Sequence, residues 1–102
     1  MKLNIGSLVD VIELRDGLGR PRVWRTAEVI GIEDGKAIVS FYKNAKDEER
    51  TIKKVSARDI EEFTEKDLRR EVNGYLKYME KWAWTKHNNG TWKLLEERGQ
   101  LK

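Results

Sequence analysis

Residues 23–42 read Val23-Trp24-Arg25-Thr26-Ala27-Glu28-Val29-Ile30-Gly31-Ile32-Glu33-Asp34-Gly35-Lys36-Ala37-Ile38-Val39-Ser40-Phe41-Tyr42. The fold turns on the Asp34-Gly35 pair. A two-residue hairpin turn of the type that matches strand twist needs positive φ at both positions, and Asp-Gly supplies it at low cost. On the near side Ala27 and Val29 share a face, and Gly31 marks a bulge or sharp bend. On the far side, Ala37 to Tyr42 is a second strand. Towards the N-terminus, Leu8-Val9-Asp10-Val11-Ile12-Glu13 has period two and places Val9 and Val11 together. The loop between, Arg15-Asp16-Gly17-Leu18-Gly19-Arg20-Pro21-Arg22, holds two glycines and the chain's one proline as breakers.

Towards the C-terminus a polar loop, 43–49, leads to a short strand over 50–55, and residues 56–60 read as one helical turn. Short, closely spaced strands argue for a small barrel over residues 1–62, because closure removes exposed sheet edges. The expected core is Val9, Val11, Ala27, Val29, Val39, Phe41, Ile52, Val55 and Ile60. The pattern then changes. Thr64 with Asp67 three residues on is a variant capping box. Leu68, Val72, Tyr75, Leu76, Met79, Trp82 and Ala83 recur at helical spacing. His87-Asn88-Asn89-Gly90 predicts a stop, and residues 91–98 read as a short second helix ended by Gly99 or as a strand, the helix being preferred. The expected class is mainly β with C-terminal α, with residues 63–102 an extension packed on the barrel or on a partner.

The 102-residue length suits one domain, and apolar and charged residues each make up 38%, enough for one modest core. The chain has no cysteine, so disulfides, thiol nucleophiles and Cys-based zinc sites are excluded. A small extracellular domain would usually carry disulfides, which favours an intracellular home. The start, Met1-Lys2-Leu3-Asn4-Ile5-Gly6, does not read as a signal or transit sequence. Its Met1 is expected to be a natural beginning. No window nears the roughly 18 apolar residues of a membrane span, so the protein is expected to be soluble. The net charge is +3. Acidic and basic groups balance through residue 62, and the excess lies beyond it, a distribution less one-sided than that of a dedicated nucleic-acid domain.

Residues 4 to about 62 resemble the Tudor and Agenet modules, SH3-like barrels of the Royal superfamily. The resemblance is carried by Gly6-Ser7-Leu8-Val9-Asp10-Val11, by Trp24 ahead of Ala27-Glu28-Val29, and by Val39-Ser40-Phe41-Tyr42. Asp47-Glu48-Glu49-Arg50-Thr51-Ile52 and Val55-Ser56-Ala57-Arg58-Asp59-Ile60 complete it. It covers about 60% of the chain, and its specificity lies in the order of the elements. It implies a non-catalytic reader that grips methylated lysine or arginine in an aromatic cage, by cation–π attraction strengthened by a carboxylate. Matched positions point to Trp24 and Tyr42 as cage walls, with Phe41 a lesser candidate and Asp47 or Glu48 as the carboxylate. A histone tail or other methylated peptide is the implied partner, and the nucleus the implied place. The chain departs from the family in having Phe41-Tyr42-Lys43-Asn44 where many members carry an Asp-Tyr-Gly-Asn-like run, and in showing only two clear cage aromatics.

Each of these residues has a plainer reading beside it. Trp24 is either a cage wall or a lid on the core. Phe41 is most simply core, opposite in facing to Tyr42. Arg15, Arg20, Arg22 and Arg25, with Lys53 and Lys54, could hold phosphates of DNA or RNA, or could be balanced by neighbouring carboxylates. Lys77 and Lys81 alternate with tail aromatics in a way that also suits single-stranded nucleic acid. Trp82, Trp84 and Trp92 are candidates for a protein interface or homodimer face. His87 stands alone, Ser7, Ser40 and Ser56 have no histidine near in sequence, and there is no phosphate-loop motif. No catalytic residue, metal site or cofactor is expected. Three functions stay open: a methyl-peptide reader, a nucleic-acid-binding barrel, and an adaptor docking through the Trp-bearing helix.

Overall fold

A computed structural model describes residues 3–78, 86 and 88–101. Five antiparallel strands form one sheet: β1 (Leu8–Arg15), β2 (Pro21–Glu33), β3 (Lys36–Phe41), β4 (Thr51–Val55) and β5 (Ile60–Glu62). Their order is β4-β3-β2-β1-β5, so β5 returns to pair with β1. A 3-10 turn at Ala57–Asp59 joins β4 to β5, and helices α1 (Glu65–Tyr78) and α2 (Gly90–Glu97) follow. The architecture is therefore mainly β with C-terminal helices.

The Asp34-Gly35 turn forms as its chemistry predicts, with φ of 53° and 72°. Gly31 lies where the β2–β3 register shifts, which is the bulge a strand glycine signals. Pro21 opens β2, where its missing N–H costs least. The strand β5 departs from the sequence reading, which ended the β region on a helical turn. Three residues, two of them Glu61 and Glu62, carry too little hydrophobic pattern to announce a strand. Ile60 is nonetheless buried against Val11 across the β1–β5 ladder.

Alternation sends one side chain in two into a core drawn from all five strands: Val9, Val11, Ala27, Val29, Ala37, Val39, Phe41, Val55 and Ile60. Each large member contributes about 1.5–3 kcal/mol over an exposed position. Ile52 is the exception among the expected core residues. It pairs with Ser40 on the opposite face and is 65% exposed.

A second cluster lies on that other face. Trp92, Leu95, Leu101 and Ala45 pack with Leu8, Leu68, Val72 and Tyr75. The helix α1 starts at the expected place because Thr64 and Asp67 cap each other: the Thr64 N–H donates to Asp67 (2.9 Å) and the Asp67 N–H donates to Thr64 Oγ1 (3.2 Å). Met79, Trp82 and Ala83 of the predicted stripe lie outside the described residues. Within the expected stop at 87–90, Asn89 also caps the start of α2, accepting from the Trp92 N–H at 3.0 Å. A polar seam fixes α2 to the sheet. Glu28 of β2 accepts from Arg50 (2.8 Å) and from Arg98. Arg50 also donates to Glu97 (3.0 Å), which accepts the Tyr42 hydroxyl. Among the described residues no helix is long and apolar enough to cross a membrane.

Candidate functional site

The face of the sheet opposite the first core carries Asp10 on β1, Trp24 and Thr26 on β2, and Glu61 on β5. The ladder sets Asp10 between Thr26 on one neighbour and Glu61 on the other. Phe63 follows β5, and Asp67, Arg70 and Glu71 project from α1, with Thr91 at the start of α2. Together with Glu62 these residues line a cleft of about 450 Å³. Trp24 is 45% exposed, unusually open for an indole, and Phe63 is half-buried.

Five carboxylates and one guanidinium surround the two rings, and several are already engaged. Asp67 caps α1 and lies 3.3 Å from Arg70. Glu71 accepts from the Trp92 indole N–H at 3.0 Å. Asp10 accepts from Thr26 Oγ1 at 3.0 Å. Burial pushes the Asp10 carboxyl up to about 6 from an ordinary 3.8, with the charges of Asp67 and Glu61 adding to it, and the Thr26 bond and Arg70 opposing. Such a cleft favours a cation: its charge is matched by carboxylates and its flanks can meet ring faces. Among the described residues no group of three or more His, Cys, Asp or Glu could hold a metal ion.

Of the expected cage residues, only Trp24 lines this cleft. Tyr42 is 6% exposed beneath α2. Its ring faces the Lys93 ammonium at 4.5 Å and the Arg50 guanidinium at 5.7 Å. Phe41 is 1% exposed in the first core, as strand alternation requires of a residue facing away from Tyr42, so it has no surface to offer a ligand. Asp47 belongs to the β3–β4 loop, where its carboxylate accepts from Asn44 N (3.2 Å) and its carbonyl from Lys93. Glu48 is exposed and, like Asp47, is not part of the cleft wall.

The basic candidates are largely ion-paired. Arg15 pairs with Asp59, Arg20 and Arg22 with Asp16, Arg25 with Glu13, and Lys54 with Glu33. Lys53 and Lys77 are exposed. Lys81, Trp82 and Trp84 lie outside the described residues. Trp92 is 6% exposed and meets Tyr75 edge-on at 5.9 Å. This corrects its assignment to a partner interface, because the ring fills the second core.

Sequence reasoning did not single out Asp10, Thr26, Glu61 or Phe63. Asp10 and Thr26 carried a signal in being polar at strand positions flanked by valines and alanine. That pattern says which face they share and leaves open what covers it. Comparisons with protein-family models, curated proteins and solved structures return no match for the chain.

Proposed function

We propose that the chain is a non-catalytic binding module, a Tudor-type reader that seats a methylated lysine or arginine side chain of a peptide in the cleft between Trp24, Phe63 and Asp10. The observation that carries this reading is the half-exposed indole of Trp24 in the wall of a carboxylate-lined cleft. An alkylated ammonium or guanidinium is both apolar and cationic, so it gains from the ring and the carboxylate together. The cage is then Trp24 with Phe63, in place of Trp24 with Tyr42.

An SH3-like barrel is the matching fold reading. The strand order β4-β3-β2-β1-β5 and the 3-10 turn before the last strand support it. So does the common core to which both end strands contribute, through Val55 and Ile60. With a chromatin-type peptide as ligand, the nucleus is the place of action.

The test is an NMR titration with basic peptides carrying unmodified, methylated or norleucine residues, repeated on Trp24→Ala and Phe63→Ala. The reading expects methylation-dependent shifts at Trp24, Phe63 and Asp10, and about a tenfold loss of affinity in Trp24→Ala. Equal binding of the norleucine and methyl-lysine peptides, or no shift at Trp24 with any of them, would sink it.

A further inference from the structure

We propose that the tip of the β1–β2 hairpin, the Ala57–Asp59 turn and the middle of β4 together form a binding surface for the phosphate backbone of nucleic acid. It is separate from the cleft and opposite in sign. Two aspartates here each hold two arginines. Asp16 accepts from Arg20 Nε and Arg22 Nε, both at 3.0 Å. Asp59 accepts from Arg15 Nε at 3.1 Å and lies 3.5 Å from Arg58 Nε.

Arg15 ties the two groups together. It donates to the Gly19 carbonyl (2.8 Å) and to the Arg58 carbonyl (2.9 Å). Asp16 also fixes the tip itself, accepting from the backbone N–H of Leu18 and Arg20 at 2.9 Å each. These bonds hold its carboxyl below the ordinary range, the Arg20 backbone contributing most. The tip is thus built around an ionised aspartate.

Four guanidiniums against two carboxylates leave a positive excess. Lys53 adds to it, lining with Arg15 and Arg58 one depression of about 240 Å³. Glu13 lines it too, but is occupied by Arg25 at 2.6 Å. Arg15 uses all three of its nitrogens within the surface. Arg20 and Arg58 meet their carboxylates through Nε and Arg22 through Nε and Nη2, and the side chains of Arg20, Arg22 and Arg58 remain 61%, 54% and 74% exposed.

An aspartate between two arginines costs one charge and gains fixed orientation. A planar fork held in place loses less entropy when it meets a phosphate than a free side chain does. That advantage suits phosphates at fixed spacing, as along a nucleic-acid strand. A fluid anionic membrane rewards apolar insertion instead, and this surface offers it only two exposed leucines, Leu18 at the tip and Leu14 in the wall of the depression.

The experiment is fluorescence anisotropy of the whole protein with short duplex DNA across a salt series. Four or so neutralised phosphates give a log–log salt slope of about −3 to −4. The double variant R20Q/R22Q is expected to flatten this slope by about 2 and to weaken binding about tenfold or more at physiological salt. D16N is the sharper variant. It adds a unit of positive charge, so simple attraction predicts tighter binding, whereas a positioning role for Asp16 predicts several-fold weaker binding.

Should D16N fail to fold by circular dichroism, K53Q/R58Q replaces it, with an expected slope change like that of R20Q/R22Q. K36Q/K46Q, with charges on the other hairpin and the β3–β4 loop, should leave the slope unchanged, as should Trp24→Ala. Tightening in D16N, an equal loss in K36Q/K46Q, or binding to phosphatidylserine vesicles without binding to DNA would each overturn the proposal.

Discussion

Asp10 stands between Thr26 and Glu61 with α1 above it, and its carboxyl titrates at about 6 in the folded chain against 3.8 ordinarily. The folded state therefore holds this proton more tightly than the unfolded state. The stability gained from the neutral carboxyl is complete below about pH 4 and is lost as pH rises through about 6. Asp10→Asn should consequently raise stability by about 1 kcal/mol near pH 7, a value reduced for the water that still reaches the group. Near pH 4 it should give no gain. Urea melts at the two pH values check this, and a loss of stability near pH 7 would refute it. A bound cation favours the carboxylate, so peptide affinity should fall several-fold as pH drops through 6. This residue was hard to read from sequence. An aspartate between valines looks like any solvent-facing strand position until a helix is laid over it.

The helix α2 shows the same limit at the next scale. Gly90 is its first residue, and a Cβ there would lie 2.1 Å from the Tyr42 carbonyl oxygen and 2.8 Å from the carbonyl carbon. In an open helix Gly→Ala gains up to about 1 kcal/mol. Here the overlap is with backbone, and Gly90→Ala should cost about 2–4 kcal/mol, measured as a lower melting temperature. Unchanged or improved stability would show that the helix can shift away from the sheet. The elements were legible in part: residues 91–98 read as a helix or a strand with the helix preferred, and Thr64 with Asp67 announces the start of α1. The role of Gly90 was not, because its reason lies 48 positions back in Tyr42, and local pattern cannot carry a tertiary contact.

On the scale of the whole molecule, β1 serves two cores at once. Val9 and Val11 enter the first, and Leu8 enters the second with Trp92, Leu95 and Leu101. The sheet's β2 is likewise tied to the C-terminal segment through Glu28 and Arg98. A chain ending at residue 89 would leave Leu8, Leu68, Val72 and Tyr75 uncovered and Glu28 without Arg98. It should lose the sharp thermal transition expected of the whole chain, as followed by tryptophan fluorescence. A cooperative melt of the shortened chain would mean that the sheet stands by itself. The hydrophobic alternation made the first core readable, all but Ala37 and the misplaced Ile52. The second core was not legible as a unit, since it joins one residue each from β1, the β3–β4 loop and the C-terminal end to the stripe of α1 and to Trp92 and Leu95 of α2. The cleft lies on the face of the second core, walled by the sheet on one side and by the helices on the other, and so only its Trp24 wall could be named in advance.

Tyr42 gives this arrangement an optical handle. Its hydroxyl donates to Glu97, and burial first, then that bond, push its ionisation above the ordinary tyrosine value. Removing the proton would set a phenolate against a carboxylate beneath α2, so ionisation and departure of the helix are coupled. In an alkaline absorbance titration, this tyrosine should ionise late and cooperatively, together with loss of the helical far-ultraviolet signal, whereas Glu97→Gln should bring its ionisation earlier. Tyrosinate absorbance then reports, without any label, the moment at which the last helix leaves the sheet.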